Sequence, residues 1–172
     1  IRVRLEGRAL VLRSGAERAT SYGVPLHLDG NTFEASTTLL LPLPTVAARV
    51  EWGLFREGEE GALVVGAIAE GQGQDSVEGY RWAARIPGAP APGEAGRWAL
   101  TVPPQARVVL SYESRSRRVE LRVEAAMEGS SAIVWGGDLT SDFPAGDYRF
   151  GLRVWPSEGR SEVKTGALTF RA

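Results

Sequence analysis

The stretch that decides the fold is RVVLSYESRSRRVELRVEA, Arg107 to Ala125. Val108, Leu110 and Tyr112 alternate with Val109, Ser111 and Glu113. After the polar link Ser114-Arg115-Ser116-Arg117, Val119, Leu121, Val123 and Ala125 alternate with Arg118, Glu120, Arg122 and Glu124. A period of two is the spacing of a half-buried strand, so the stretch predicts a β-hairpin. Its aliphatic face would lie on a core and its Arg/Glu face in water, as in an antiparallel sheet solvated on one side.

The same alternation runs outward in both directions. Toward the N-terminus it appears in Ile1–Leu5, Leu10–Leu12, Val24–Leu28, Phe33–Leu41, Ala48–Leu54 and Tyr80–Ile86, and in Trp98, Leu100 and Val102. Asp29-Gly30-Asn31 is a hairpin signal, because Gly and Asn tolerate positive φ. Ala62 to Ala69 is the longest apolar run and suits a strand covered on both faces. Toward the C-terminus, Ala132–Trp135, Asp147–Trp155 and Ala167–Arg171 follow. About twelve short strands at this spacing, with no helical stripe and no repeat, predict an all-β, two-sheet antiparallel sandwich. Val46–Phe55 is the nearest rival for a helix, but its alternation and the preceding prolines favour strand.

Bulk composition narrows the function classes. The chain has 172 residues, 43% hydrophobic, and is expected to form one domain over 1–172. No apolar run is long enough for a membrane span. The net charge of −1, from 20 basic and 21 acidic residues mixed throughout, gives no basic patch of nucleic-acid type. The absence of cysteine excludes disulfides, thiol catalysis and thiolate metal sites. Lys164 is the one lysine, Asn31 the one asparagine and Met127 the one methionine. Either a heat-adapted source, and so a thermostable protein, or a GC-rich genome would produce that bias. The start at Ile1 is consistent with a removed signal peptide or a trimmed chain, and an extracellular or cell-envelope location is the expectation.

From Trp98 onward the order of features resembles the concanavalin A-like lectin/glucanase jelly roll, which includes legume lectins, laminin G-like modules and laminarinase-type glycosidases. The residues that carry the resemblance are WALTVPPQARVVLSYESRSRRVELRVEA, FPAGDYRFGLRVWPSEG and TGALTF, with FEASTTLLLPLP earlier. It implies two curved, packed sheets with a face that often binds sugars. In the laminarinase-like members the acid pair comes from Glu-x-Asp-x-x-Glu on one strand. Here the nearest match is Gly73-Gln74-Asp75-Ser76-Val77-Glu78, with Gly73 where the nucleophile would stand.

Other candidate chemistry is sparse. Glu120 and Glu124 share a strand face, but four residues of strand separate their Cα atoms by roughly 13 Å, and Arg122 lies between them. A charge ladder accounts for them better than an acid/base pair. No Gly-x-Ser-x-Gly elbow, phosphate loop or zinc-protease motif occurs. His27 falls on the face opposite Leu26 and Leu28, as a solvent-facing strand residue would. Asp138, Asp142 and Asp147 lie within one loop, GGDLTSDFPAGD, and could supply oxygens to Ca2+; equally, aspartates there could cap turns. Trp52, Trp82 and Trp98 are in phase with core residues. Trp155 shares its face with Arg149, Arg153, Gly151 and Asp147, and an aromatic among arginines could stack on a sugar ring or pack beneath an arginine.

The expected function is a non-catalytic carbohydrate- or surface-ligand-binding module. Its candidate site is Trp155, Arg149, Arg153, Glu120 and Arg122, and Asp138, Asp142 and Asp147 are the candidate calcium ligands. The alternatives are a divergent glycoside hydrolase and a purely structural envelope domain.

Overall fold

Alternating residues become strands throughout the computed structural model, which describes residues 2–6, 9–13, 18–41, 48–58, 61–71, 80–88, 94–98, 105–125, 132–155 and 162–172. Among these are fourteen strands and no helix. The first seven are β1 (Arg2–Glu6), β2 (Ala9–Arg13), β3 (Thr20–Leu28), β4 (Phe33–Leu40), β5 (Arg49–Arg56), β6 (Leu63–Gly71) and β7 (Tyr80–Arg85). The rest are β8 (Glu94–Trp98), β9 (Gln105–Glu113), β10 (Arg118–Ala125), β11 (Ala132–Asp138), β12 (Gly146–Val154), β13 (Glu162–Thr165) and β14 (Thr169–Arg171).

All pairings are antiparallel and fall into two sheets. One runs β1-β2-β13-β4-β9-β10-β11, with β14 also pairing β4; the other runs β3-β12-β5-β6-β7-β8. Arg107–Ala125 folds as its alternation predicts, with Glu113 opposite Arg118 and Ala106 opposite Ala125. The four-residue turn is closed by Arg117 at φ +57. Glu113 holds it, its carboxylate accepting the backbone N–H groups of Arg115 (3.2 Å) and Ser116 (2.8 Å). Those bonds keep the Glu113 carboxyl below its ordinary pKa, the Ser116 amide contributing most.

The core lies between the sheets. Val108, Leu110, Tyr112, Val119, Leu121 and Val123 of the hairpin face Trp52, Leu54, Trp82, Phe150, Leu152 and Val154 of the second sheet in one buried cluster. Each such side chain contributes about 1.5–3 kcal/mol on leaving water, so the hairpin's apolar face is the anchor its pattern implies. Trp52 and Trp82 are core residues as expected. The side chain of Trp98, and Leu100 and Val102, lie outside the described residues.

One sequence expectation changes. Asp29-Gly30-Asn31 does turn the chain, with Gly30 at φ +80, but β3 and β4 are not a hairpin. β3 pairs with β12 and β4 with β9, so the turn carries the chain from one sheet to the other. Local turn chemistry dictates a reversal of direction; which edge each strand then joins is decided by packing. The segment Asp138–Asp147 is organised around an aromatic side chain. Phe143 plugs it into the core against Phe33, Tyr112 and Tyr148, and its N–H donates to the Tyr112 hydroxyl at 3.0 Å.

Candidate functional site

Strand β12 lies between β3 and β5 in the six-stranded sheet. Tyr148, Phe150, Leu152 and Val154 point into the core, which sends Asp147, Arg149, Gly151 and Arg153 to the outer face. The same alternation in β5 turns Glu51, Gly53 and Phe55 outward, and in β6 it turns out Leu63, Gly66, Ile68 and Glu70. Phe55, Leu63 and Ile68 form a small buried cluster of their own on that face. The apolar run of β6 is therefore covered on both sides, as its composition predicts.

Register brings four glycines into one line. Gly23 of β3 pairs with Gly151 of β12, Gly151 with Gly53 of β5, and Gly53 with Gly66 of β6. The line ends at Arg85 of β7, opposite Gly66. No Cβ rises along the four-glycine row, so it forms a shallow trough across the strands, over which side chains of the banks close at Gly53, Gly66 and Gly151, all three buried. Two of these positions demand glycine outright. Gly53 and Gly66 sit at φ +145 and +151, and a Cβ would lie 2.2 Å from the Val65 carbonyl oxygen and 2.0 Å from that of Trp52. L side chains avoid such backbone, and only bare backbone can approach a neighbouring carbonyl that closely.

Side chains wall the trough on both sides. Pro25, Arg149, Phe55 and Leu63 make one bank; Ser21, Arg153, Glu51, Ile68 and Ala83 make the other. Arg153 nevertheless reaches the far bank. Its guanidinium lies 4.9 Å from the Phe55 ring centre and donates to the Gly61 carbonyl at 2.6 Å, so its stem must pass over the glycines. Arg149 donates to the Gly23 carbonyl at 3.0 Å. Between these two arginines, Ser21, Gly23, Phe55 and Gly58 enclose a cavity of about 160 Å³. That is smaller than the roughly 300–1,000 Å³ of drug-sized pockets, and suits one ring or side group of a longer ligand.

Trp155 stands at the next position beyond Arg153. It is 37% exposed, and its indole N–H is tied to the carboxylate of Glu51. Glu51 itself is only 6% exposed, with Arg49 at 3.9 Å. A buried carboxylate needs donors to offset its lost hydration, and the indole supplies one. The consequence is a ring fixed in orientation and left accessible. Arg153 is also 5.8 Å from its centre.

The structure gathers three of the five predicted ligand residues and separates two. Trp155, Arg149 and Arg153 share the trough. Glu120 and Arg122 belong to the outer face of the other sheet, on the opposite side of the sandwich. There they join a ladder of Arg107–Glu124 (4.0 Å), Arg122–Glu124 (3.6 Å), Arg118–Glu120 (3.6 Å) and Arg118–Asp138 (3.2 Å). The physical reason is that β10 and β12 each turn a polar face outward, but from different sheets. Alternation alone does not distinguish those two outsides.

The three aspartates are likewise drawn apart. Asp138 pairs with Arg118, Asp142 with Arg117 at 2.9 Å, and Asp147 with His27 at 2.8 Å. Among the described residues no group of three or more acidic or histidine side chains is arranged to hold a metal ion. His27 is exposed as expected, and the Asp147 hydrogen bond, with Asp29 at 3.1 Å, raises its pKa above the ordinary value. Asp75 and Glu78 lie outside the described residues. Missed by sequence reasoning were the four glycines, Glu51, Phe55 and Arg85. A glycine inside each of four apolar strands was the available signal, since it marks close backbone approach.

No protein-family model and no curated protein matches the sequence. The three-dimensional likenesses are extensive. The CBM2 module of the evolved Dit of Lactobacillus casei BL23 phage J-1 is similar over 98% of this chain and 78% of its own, with TM-score 0.67 and 10% identity. A lectin from Bauhinia forficata in complex with GalNAc is similar over 98% and 88%, with TM-score 0.62 and 13% identity. The catalytic domain of a GH131 beta-glucanase from Podospora anserina is similar over 95% and 72%, with TM-score 0.56 and 8% identity. The fold is that of the concanavalin A-like jelly-roll sandwich. Among the described residues no helix is long and apolar enough to cross a membrane.

Proposed function

We propose that this chain is a carbohydrate-binding sandwich whose ligand lies along the glycine trough on the outer face of the six-stranded sheet. The observation that carries the proposal is the trough itself: four aligned glycines, walled by side chains, with an anchored and accessible Trp155 beside it. A sugar ring has an apolar face and a rim of hydroxyls. The indole of Trp155 offers area for the face, and the guanidinium forks of Arg149 and Arg153 offer donors for the rim. Lectins and a carbohydrate-binding module among proteins of the same fold are consistent with this reading. An extracellular or cell-envelope location fits it as well.

The test is a glycan array with wild type and Trp155→Ala. Loss of a stacking aromatic costs about 0.5–1.5 kcal/mol beyond its area, a weakening of roughly twofold to tenfold before the lost area is added. Undiminished binding by the variant would remove the trough as the site. A second reading, a glycoside hydrolase, draws on Glu51 and Glu70, which border the same face and both meet Arg49 (3.9 and 2.8 Å). Retaining enzymes hold two carboxyls about 5–5.5 Å apart. Release of reducing sugar from a bound polysaccharide, abolished in Glu51→Gln, would favour that reading over the first.

A further inference from the structure

We infer that the ligand of the trough is an anionic polysaccharide, one bearing carboxylate or sulfate groups; the inference rests on the carbohydrate-binding reading above. The protein as a whole is nearly neutral, with a net charge of −1. Its trough face is not. The side chains that the sheet register sets there include Arg49, Arg81, Arg85, Arg149 and Arg153, against Glu51 and Glu70. Glu70 is shared by Arg49 and Arg81, at 2.8 Å from each. Glu51 is taken by Trp155 and Arg49. Asp147, farther along β12, is held by His27.

On this face three arginines are left without a carboxylate partner among the described residues: Arg85, Arg149 and Arg153. Arg149 and Arg153 each direct one N–H to a backbone carbonyl, Gly23 and Gly61 respectively. A guanidinium carries five N–H donors in a fixed fork, so each keeps several for a ligand, and forks match carboxylate and sulfate-type oxyanions bidentately. The contrast with the other sheet is direct. There, Arg107, Arg118 and Arg122 are all matched by Glu120, Glu124 or Asp138 in a closed ladder. Among the described residues, the arginines of the trough face thus outnumber their carboxylates, whereas those of the β9–β10–β11 ladder are matched.

Its layout favours a chain over a single acid. Arg85 lies three strands from Arg149 and Arg153, and at a strand spacing of about 4.8 Å this is roughly 14 Å. Both ends lie on one face of the sheet, so a ligand meeting both crosses the Phe55, Leu63 and Ile68 cluster and spans more than one sugar ring. The cavity between Arg149 and Arg153 would take one of its charged groups.

The experiment measures binding of polygalacturonate, dextran sulfate, neutral dextran and polyglutamate to the intact chain by calorimetry, at 50 and 500 mM NaCl. Expected are binding of at least one charged glycan, at least tenfold weaker binding of dextran and polyglutamate, and a clear loss at high salt as exposed charges are screened. The better of the two charged glycans identifies the acid group. Arg85→Gln and Arg149→Gln are each expected to weaken that binding about tenfold. Arg85 is exposed and makes no hydrogen bond or ion pair with a described side chain, so its variant is expected to leave the fold intact; melting curves of Arg85→Gln and Arg149→Gln verify it. Binding of neutral dextran at equal or greater strength overturns the anionic assignment and leaves the carbohydrate reading standing. No binding of any glycan, on this panel or an array, overturns both. Equal binding of polyglutamate replaces the glycan by polyanions in general, and wild-type affinity in both arginine variants moves the site away from the trough.

Discussion

Replacing Gly53 with alanine separates the two demands that the trough places on its glycines. Gly53 has φ +145, and a Cβ there would lie 2.2 Å from the Val65 carbonyl oxygen and 2.8 Å from the Gly66 Cα. Holding a non-glycine residue in such backbone costs of order 1–3 kcal/mol. Forcing a methyl into a closed contact costs typically 1–3 kcal/mol more. The sum is about 2–6 kcal/mol, a large part of the roughly 5–15 kcal/mol that holds a domain together. At about 2–4 °C per kcal/mol for a chain of this size, melting should fall by roughly 5–20 °C. Two controls isolate the terms. Gly58→Ala meets the backbone demand alone, at φ +122 with nothing within 4 Å of the new methyl. Gly151→Ala meets the steric demand alone, with a Cβ 1.9 Å from the Tyr22 carbonyl oxygen and no positive φ. Calorimetric melting of the three should rank Gly53→Ala as most destabilised. If Gly53→Ala melts with Gly58→Ala, the strands do not approach as closely as described, and the trough loses its floor.

Two further outcomes follow from charges away from the trough. Asp147 raises the His27 pKa, and its contribution is fully present below the unfolded-state value of about 6.5 and lost as pH rises through the higher folded-state value. The gap in melting temperature between wild type and Asp147→Asn should therefore shrink from pH 5.5 to pH 8.5; a gap that widens would reverse the assigned sign. On the other sheet, Glu120→Gln and Arg122→Gln touch only exposed rungs of the ladder, each of which is worth about 0–1 kcal/mol. Both should bind ligand as wild type does in the glycan assay, and a binding defect in either would bring that face back into the site.

The fold was legible because its signal is redundant. Arg107–Ala125 states its period twice, once on each side of a polar turn, and the buried faces of β9 and β10 are the residues that the period selects. Trp52 and Trp82 follow from the same phase argument. What alternation omits is the identity of the neighbour. Asp29-Gly30-Asn31 has the composition of a hairpin turn, yet the strands on either side belong to different sheets, because their partners β12 and β9 are distant in sequence, Leu40 pairing with Gln105 and Leu28 with Gly146. Phe143 escaped notice for a related reason. It belongs to no alternating run, and its burial depends on an aromatic cluster assembled from β4, β9 and β12.

The candidate site shows the same division more sharply. Trp155, Arg149 and Arg153 come from one strand and its end, so their common face can be read from spacing by two. Glu120 and Arg122 look equivalent by that criterion and are not, since outward from one sheet is the reverse of outward from the other. The trough requires still more. Gly23, Gly53, Gly66 and Gly151 are separated by 13 to 85 residues in sequence, and nothing in any one strand says that the four will align. Their alignment is a property of register, fixed by the core residues that alternate with them: Tyr22, Trp52, Val65 and Phe150 lie inward one step away. Packing the core thus sets the line of glycines, and the line of glycines leaves the space into which Arg153 reaches. A substitution in the core that shifted β5 by one residue would turn Gly53 toward the core and Trp52 outward into the trough, so the outer face and the core are specified by the same pairing.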